Sequence, residues 1–287
     1  MITSSDGAAG LTKSGASLFD AALAALQLCD PAEKVGAVAR LRRAWLAGEV
    51  SLRESAPPIS LPTPGRPARP PLVPPREVPR RGLGTPEGRA ALVHAVAHIE
   101  FNAINLALDA VYRFRDLPRD YYDDWLRVAD EEARHFSMLA ARLTSLGRAY
   151  GDLPAHNGLW EMAVKTADDW LLRMALVPRV LEARGLDVTP GMIERLRRVG
   201  DVETVAALEV ILREEVGHVA VGSRWYAQAC AQRGLEPEAT FRALIREYAP
   251  GQVMGMLHRE ARLAAGFSAA ELDALEALAD ARRAADE

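Results

Sequence analysis

Two stretches of this chain place an acid three residues before a histidine on an otherwise apolar helical stripe. They are Glu132 and His135 in DEEARHFSML (130–139), and Glu215 and His218 in REEVGHVAVG (213–222). Residues three apart project from one face of an α-helix, about a turn from one another. An isolated carboxylate on a buried face costs several kcal/mol unless it takes a proton or a partner. A divalent metal removes that penalty, and a neutral imidazole is a good companion ligand. A two-metal carboxylate centre also needs one glutamate from each of two further helices. Glu100 meets that need, flanked at helical spacing by Val93, Val96, Ala103, Ile104 and Ala107, with no other acid in the stripe. Glu182 meets it again, with Trp170, Leu171, Met174 and Ala175 upstream and Pro178 one turn before it. The order is therefore Glu, Glu-x-x-His, Glu, Glu-x-x-His, with 32 residues from Glu100 to Glu132 and 33 from Glu182 to Glu215. One E-x-x-H arises readily by chance in a Glu-rich helical chain. Two of them, each preceded at nearly the same distance by a glutamate on an apolar stripe, point to two helix hairpins of one design. Glu100, Glu132, His135, Glu182, Glu215 and His218 are thus candidate metal ligands. Their oxygen-rich donor set suits iron or manganese better than structural zinc. The competing reading is a metal-free scaffold whose buried acids are only hydrogen-bonded.

The elements that must carry these residues are helices. Residues 17–47 read as two short ones, the second opening on Asp30 as N-cap with Pro31 at the first helical position. Ten prolines between 57 and 79 forbid helix and disfavour a central strand, leaving an extended strap that carries Arg66, Arg69, Arg76, Arg80 and Arg81. Thr85-Pro86 starts a helix running to about 115, and Pro118 starts another that ends near Gly147. A third begins at Asn157 or Gly158, contains Pro178 and stops at Gly185. Thr189-Pro190 then opens a short helix closed by Gly200. Asp201 caps a long helix ending at Gly234, and Pro237 and the capping box Ser268–Glu271 open C-terminal pieces. No alternating β-branched run calls for a strand. The expected class is all-α: an antiparallel four-helix bundle with extra N- and C-terminal helices, its crossover aided by residues 148–157. The expected divisions are 1–84 (N-terminal helices and connector), 85–235 (bundle) and 236–287 (C-terminal helices packed on the bundle).

Composition narrows the setting. The chain has 287 residues, 49% of them hydrophobic, and a net charge of −4, which exerts no global pull toward nucleic acid or anionic membrane. No run approaches the ~20 apolar residues of a membrane span, and MITSSDGAAGLTKSG lacks the pattern of an export signal. Cys29 and Cys230 are far apart and fit a reducing compartment, so the expected location is cytoplasmic.

The sequence resembles the ferritin-like superfamily, specifically a bacterial branch of unknown function similar to the di-iron tRNA isopentenyladenosine hydroxylases. The pieces that carry the likeness are HAVAHIEFNAINLALDAVYRF (94–114), DDWLRVADEEARHFSML (123–139), YGDLPAHNGLWE (150–161), LEARGLDVTPGM (181–192) and EVILREEVGHVAVGSRWY (209–226). The resemblance implies a ferritin-like bundle, two iron ions (or manganese) and the same six ligands, with Glu132 and Glu215 as the bridging pair. It implies an oxygen-dependent oxidoreductase of hydroxylase type, using dioxygen and an electron donor that it does not identify; the acidic net charge, not the resemblance, favours a small-molecule substrate. tRNA enters as a partner by family analogy alone. The rival readings are non-catalytic iron or manganese storage and a di-manganese, peroxide-dismutating enzyme.

Other residues carry less. Glu131 and Glu214, about 100° round the helix from the ligand acids, are read as surface partners of arginines such as Arg134 and Arg213. His94 and His98 share a face away from Glu100, and His156 reads as a loop anchor. His258 reads as structural or surface. Tyr121, Tyr122 and Tyr226 read as packing residues, a redox role being the alternative.

Overall fold

The computed structural model describes residues 15–53, 55–78, 82–250 and 256–286. Pro79, Arg80, Arg81 and all but the last residue of MITSSDGAAGLTKSG lie outside the described residues. The fold is all-α, as expected, and the chain divides into two compact units, Met1–Trp160 and Glu161–Glu287.

In the N-terminal unit, α1 (Leu18–Gln27) packs on α3 (Pro86–Arg113), and α2 (Pro31–Leu46) packs on α4 (Arg119–Ser145). The caps read from sequence are in place: Asp30 accepts from Glu33 N at 2.9 Å, and Thr85 Oγ1 accepts from Gly88 N at 3.1 Å. The α3–α4 hairpin is the heart of this unit. Helix α3 is buried nearly all round, on positions from Val93 and Ala97 to Leu108 and Val111. By length and composition it could cross a membrane, contrary to the expectation that no run comes close. Most of that stretch is nevertheless buried inside the protein, as in a core helix. The absence of strand also needs correcting, since Ala16–Ser17 (β1) pairs in parallel with Val50–Ser51 (β2). Two residues are too few to leave an alternating signature.

The proline-rich segment is a strap sewn to its own unit. Gly65 N donates to Leu26 O at 3.0 Å, Val73 N to Ala155 O at 2.8 Å, and Trp160 Nε1 to Leu61 O at 3.2 Å. A Cβ at position 65 would stand 2.3 Å from the Gln27 backbone, so only glycine passes there. Arg66 and Arg69 donate to backbone carbonyls of the protein, Pro67, Pro70 and Gly151.

The third long helix differs from its expected course. Helix α5 (Gly158–Lys165) stops at Thr166, whose hydroxyl bonds back to Met162 O at 2.8 Å. Asp169 then caps a new helix, α6 (Trp170–Leu176), by accepting from Leu171 N at 2.8 Å. A π-helical turn follows at Val177–Glu182, and α7 runs from Ala183 to Arg198 without ending at Gly185 or restarting at Pro190. Buried Leu186, Thr189, Ile193 and Leu196 keep a helical stripe through both residues, and that packing overrides local propensity. The turn at Pro178 has a local cause. Proline has no N–H and its ring would strike the carbonyl four residues back, so the ladder widens to i+5, seen in Ala183 N bonding Pro178 O.

Helix α8 (Val202–Arg233) starts on Asp201, which accepts from Thr204 N at 3.1 Å, and ends at Gly234 with φ 64°. It packs on α6, the π turn and α7. At Gly222 a Cβ would lie 2.3 Å from the Pro178 ring, so the bare backbone of α8 is what admits the turn. Helices α9 (Pro237–Tyr248), α10 (Arg259–Ala264) and α11 (Ala269–Asp286) complete the unit. Sequence reading did not anticipate α10, whose cap is an uncommon one: His258 Nδ1 accepts from Ala261 N at 3.1 Å.

Candidate metal centre

The α3–α4 hairpin brings Glu100, Glu132 and His135 together. One ligand atom from each lies within 4.8 Å of the other two. All three are buried, at 3%, 1% and 0% exposure, which leaves the two carboxylates little water to solvate them. His135 Nδ1 stands 3.2 Å from Glu100 Oε2 and 3.5 Å from Glu132 Oε2. Burial alone would push this imidazole down, but the Glu100 and Glu132 carboxylates outweigh burial and lift it to about 10. The imidazolium so formed balances part of the charge of the two acids. A divalent cation held by the same three side chains would balance more of it and would take the place of that proton. The donor set therefore fits a metal ion: this buried Glu/His group could hold one.

The C-terminal unit repeats the pattern on its own hairpin. Glu215 Oε1 lies 3.5 Å from His218 Nδ1 on α8, the acid nearly and the imidazole fully buried. Glu182 is the last residue of the π turn that packs against α8, and it is half-buried.

The residues set aside from the ligand set have other work. His94 Nε2 accepts from Gly151 N at 3.0 Å. His98 Nε2 lies 3.1 Å from both His156 O and Asn102 Nδ2, and its Nδ1 lies 3.0 Å from the Tyr150 hydroxyl. Burial, with His94, His156 and Arg66 nearby, pushes His98 down to about 4. Tyr150 stacks on both rings, and His156 Nδ1 accepts from Gly158 N. These three histidines anchor the loop between α4 and α5. Glu131 accepts from Arg127 at 2.9 Å, one turn before it, and Glu214 lies 3.9 Å from Arg213. The Tyr121, Tyr122 and Tyr226 hydroxyls donate to the carbonyls of Ala110, Phe114 and Pro237.

Sequence reasoning missed Arg179, which is buried one turn before Glu182. The available signal was an arginine set between Val177 and Val180 on an apolar stripe. It also missed Lys34, buried in the N-terminal unit, whose Nζ donates to Ala25 O at 3.1 Å and Leu26 O at 2.6 Å.

A family described as "Protein of unknown function (DUF455)" matches residues 27–273, a range that takes in all six candidate ligands. The chain belongs to that family. An uncharacterized protein of Haemophilus influenzae is 49% identical over 214 residues, spanning 72% of this chain and 74% of that protein. No solved structure matches the chain. Neither description names an activity, so the chemistry has to come from the side chains.

Proposed function

We propose that this protein is a ferritin-like di-metal carboxylate protein, with Glu100, Glu132 and His135 supplying one half of the ligand set and Glu182, Glu215 and His218 the other. The observation that carries the reading is the buried Glu100–Glu132–His135 group. Two carboxylates and an imidazole converge there at almost no exposure, an arrangement that is costly for a metal-free fold. Its repetition as Glu215–His218, with Glu182 on the adjoining turn, extends the reading to a pair of ions. A pair of iron or manganese ions in such a centre supplies the two-electron reduction of dioxygen, the chemistry of an oxygen-dependent hydroxylase.

The chain's own contribution is threefold. Its glutamates provide hard oxygen donors, and its histidines fix one nitrogen donor in each half. The apolar lining of α3 and α4 around the N-terminal group, with Phe101 against Phe136 at 5.3 Å between ring centroids, keeps bulk water away. The substrate we assign is a small or medium-sized organic molecule. The related tRNA hydroxylases do not transfer their substrate with their site, and Arg66 and Arg69 already donate to the protein's own carbonyls.

Metal analysis of protein purified without chelator tests the centre, with about two iron or manganese ions per chain expected. Metal-free protein that stays folded and takes up neither ion would leave the hydrogen-bonded scaffold as the correct reading. Titration with tRNA at several salt concentrations tests the substrate class. Tight binding that weakens steeply with salt, and is lost on neutralising Arg66 and Arg69, would replace the small molecule by nucleic acid.

A further inference from the structure

Arg179 lies in the π turn, three residues before Glu182, at 2% exposure. Its guanidinium carbon stands 4.6, 4.2 and 4.4 Å from the ring centroids of Tyr226, Phe241 and Phe267. Out of this aromatic cage its Nη2 donates to Glu271 Oε1 at 2.7 Å. Glu271 is itself pinned by the capping box that opens α11. Its Oε2 accepts from Ser268 N at 2.9 Å, and its own N–H donates to Ser268 Oγ at 3.0 Å.

A second anchor grips the helix beyond Glu182. Arg262 forks onto Asp187, Nε to Oδ1 at 2.9 Å and Nη2 to Oδ2 at 2.7 Å, and its Nη2 also reaches Ala183 O at 3.4 Å. The backbone N–H of His258 adds a bond to Asp187 Oδ1 at 2.9 Å. Both ion pairs are buried, with side-chain exposures of 2% and 6% for Arg179 and Glu271, and 4% and 6% for Arg262 and Asp187. Residues 258–271 therefore hold this helix at 179, 183 and 187, on both sides of position 182.

Buried ion pairs are poor stabilisers compared with apolar side chains of the same volume, but their geometry fixes register. A π turn is a departure from the α-helical ladder, one that persists where its surroundings over-determine it. We infer that the segment His258–Glu271 is a clamp that sets the rotation of Glu182 on its helix, with Arg179 as the positioning residue. The inference rests on the di-metal reading proposed above. It assigns the C-terminal helices a task in the centre, although none of their residues is among the six ligands.

The test is Mn(II) titration of the full-length chain, with free Mn(II) followed by its electron paramagnetic resonance signal. The wild type is expected to show two tight sites. Arg179→Met is expected to keep one of them and to weaken the other at least tenfold, with helix content unchanged by circular dichroism. Arg179→Lys, which keeps a cation in the cage and a donor for Glu271, is expected to recover part of the loss. A purely structural role would lower the melting temperature and leave two equally tight sites in the folded variant; that result overturns the clamp while the di-metal reading stands. A wild type that binds neither Mn(II) nor, in a parallel anaerobic titration, Fe(II) overturns both. If Arg179→Met does not fold, Glu271→Gln and Asp187→Asn decide the matter by the same selective weakening or its absence.

Discussion

In the N-terminal unit, the helix that carries Glu100 is fastened by groups that burial drives toward neutrality. His94 and His98 hold the loop at Gly151 and His156, while Lys34 sits under the Phe101 ring at 5.7 Å and is pushed by burial down to about 7. In the C-terminal unit, the turn that carries Glu182 is fastened by the ion pairs Arg179–Glu271 and Arg262–Asp187. The difference is physical. His94 Nε2 accepts from Gly151 N only while it carries no proton, whereas a buried ion pair is weakened by removing a partner. The first unit presents its acid from an uninterrupted 28-residue helix, and the second presents its own from a turn that needs outside support. Equal Glu/His patterns in sequence are thus held by unlike means.

The largest expected effect bears on whether the acids of either unit hold metal. Glu132→Ala and Glu215→Ala should each lose at least one bound ion, and the double variant should retain none by metal analysis. Full occupancy in the double variant would end the comparison, because the acids would then be scaffold in both units. Chelation of the wild type should lower its stability, by an amount that grows ~1.4 kcal/mol for each tenfold of affinity, and a melting temperature that does not fall would argue for the scaffold.

Next in size is the pH response of the neutral side. The groups facing Lys34 are Cys29, the Ala25 and Leu26 carbonyls and the Phe101 ring. Between pH 7 and 10.5 the unfolded chain keeps the lysine proton and the folded protein has lost it. The unfolded state then binds more protons, so stability rises with pH across that window. The rise attributable to Lys34 is on the order of a few kcal/mol, at ~1.4 kcal/mol per pH unit, and should vanish in Lys34→Met. Urea denaturation at pH 6.5 and 9.5 checks it, and parallel pH profiles for variant and wild type would refute it.

Two glycines sharpen the comparison from the other side. Gly222→Ala drives a Cβ to 2.3 Å from Pro178 and should destabilise by about 1–3 kcal/mol through overpacking at the π turn. Gly185→Ala, three residues beyond Glu182 with open space at its Cβ, should stabilise by about 0.5–1 kcal/mol. Denaturant midpoints should therefore move in opposite directions. If both fell, α7 would be strained beyond the turn as well as within it.

Much of this was legible in the sequence, for local reasons. Helix starts at Asp30, Thr85 and Asp201 were readable because a cap and its first turn are contiguous, and the end at Gly234 because glycine takes the left-handed conformation there. The E-x-x-H pairs were readable because one helix face holds both residues. The course of the third helix was not. The stop at Thr166 depends on a hydroxyl bonding backward, and the passage through Pro190 depends on packing of Ile193 and Leu196. The fastening of Glu182 was further out of reach, since Arg179 and Glu271 are 92 residues apart. The capping box at Ser268 was visible, but its second task as the seat of an ion pair was not.

The proline strap has a consequence for the order in which the chain assembles. Pro71 and Val73 bond to Ala155, and Leu61 to Trp160, residues made some eighty to a hundred positions later. The strap therefore cannot settle until α3, α4 and the loop after them exist. Fixing a flexible segment along that path would cost about 1–2 kcal/mol of backbone entropy per residue. Prolines give up much of that freedom beforehand, because their φ is already fixed in the unfolded chain. A strap of more flexible residues making the same contacts would hold its partners less firmly.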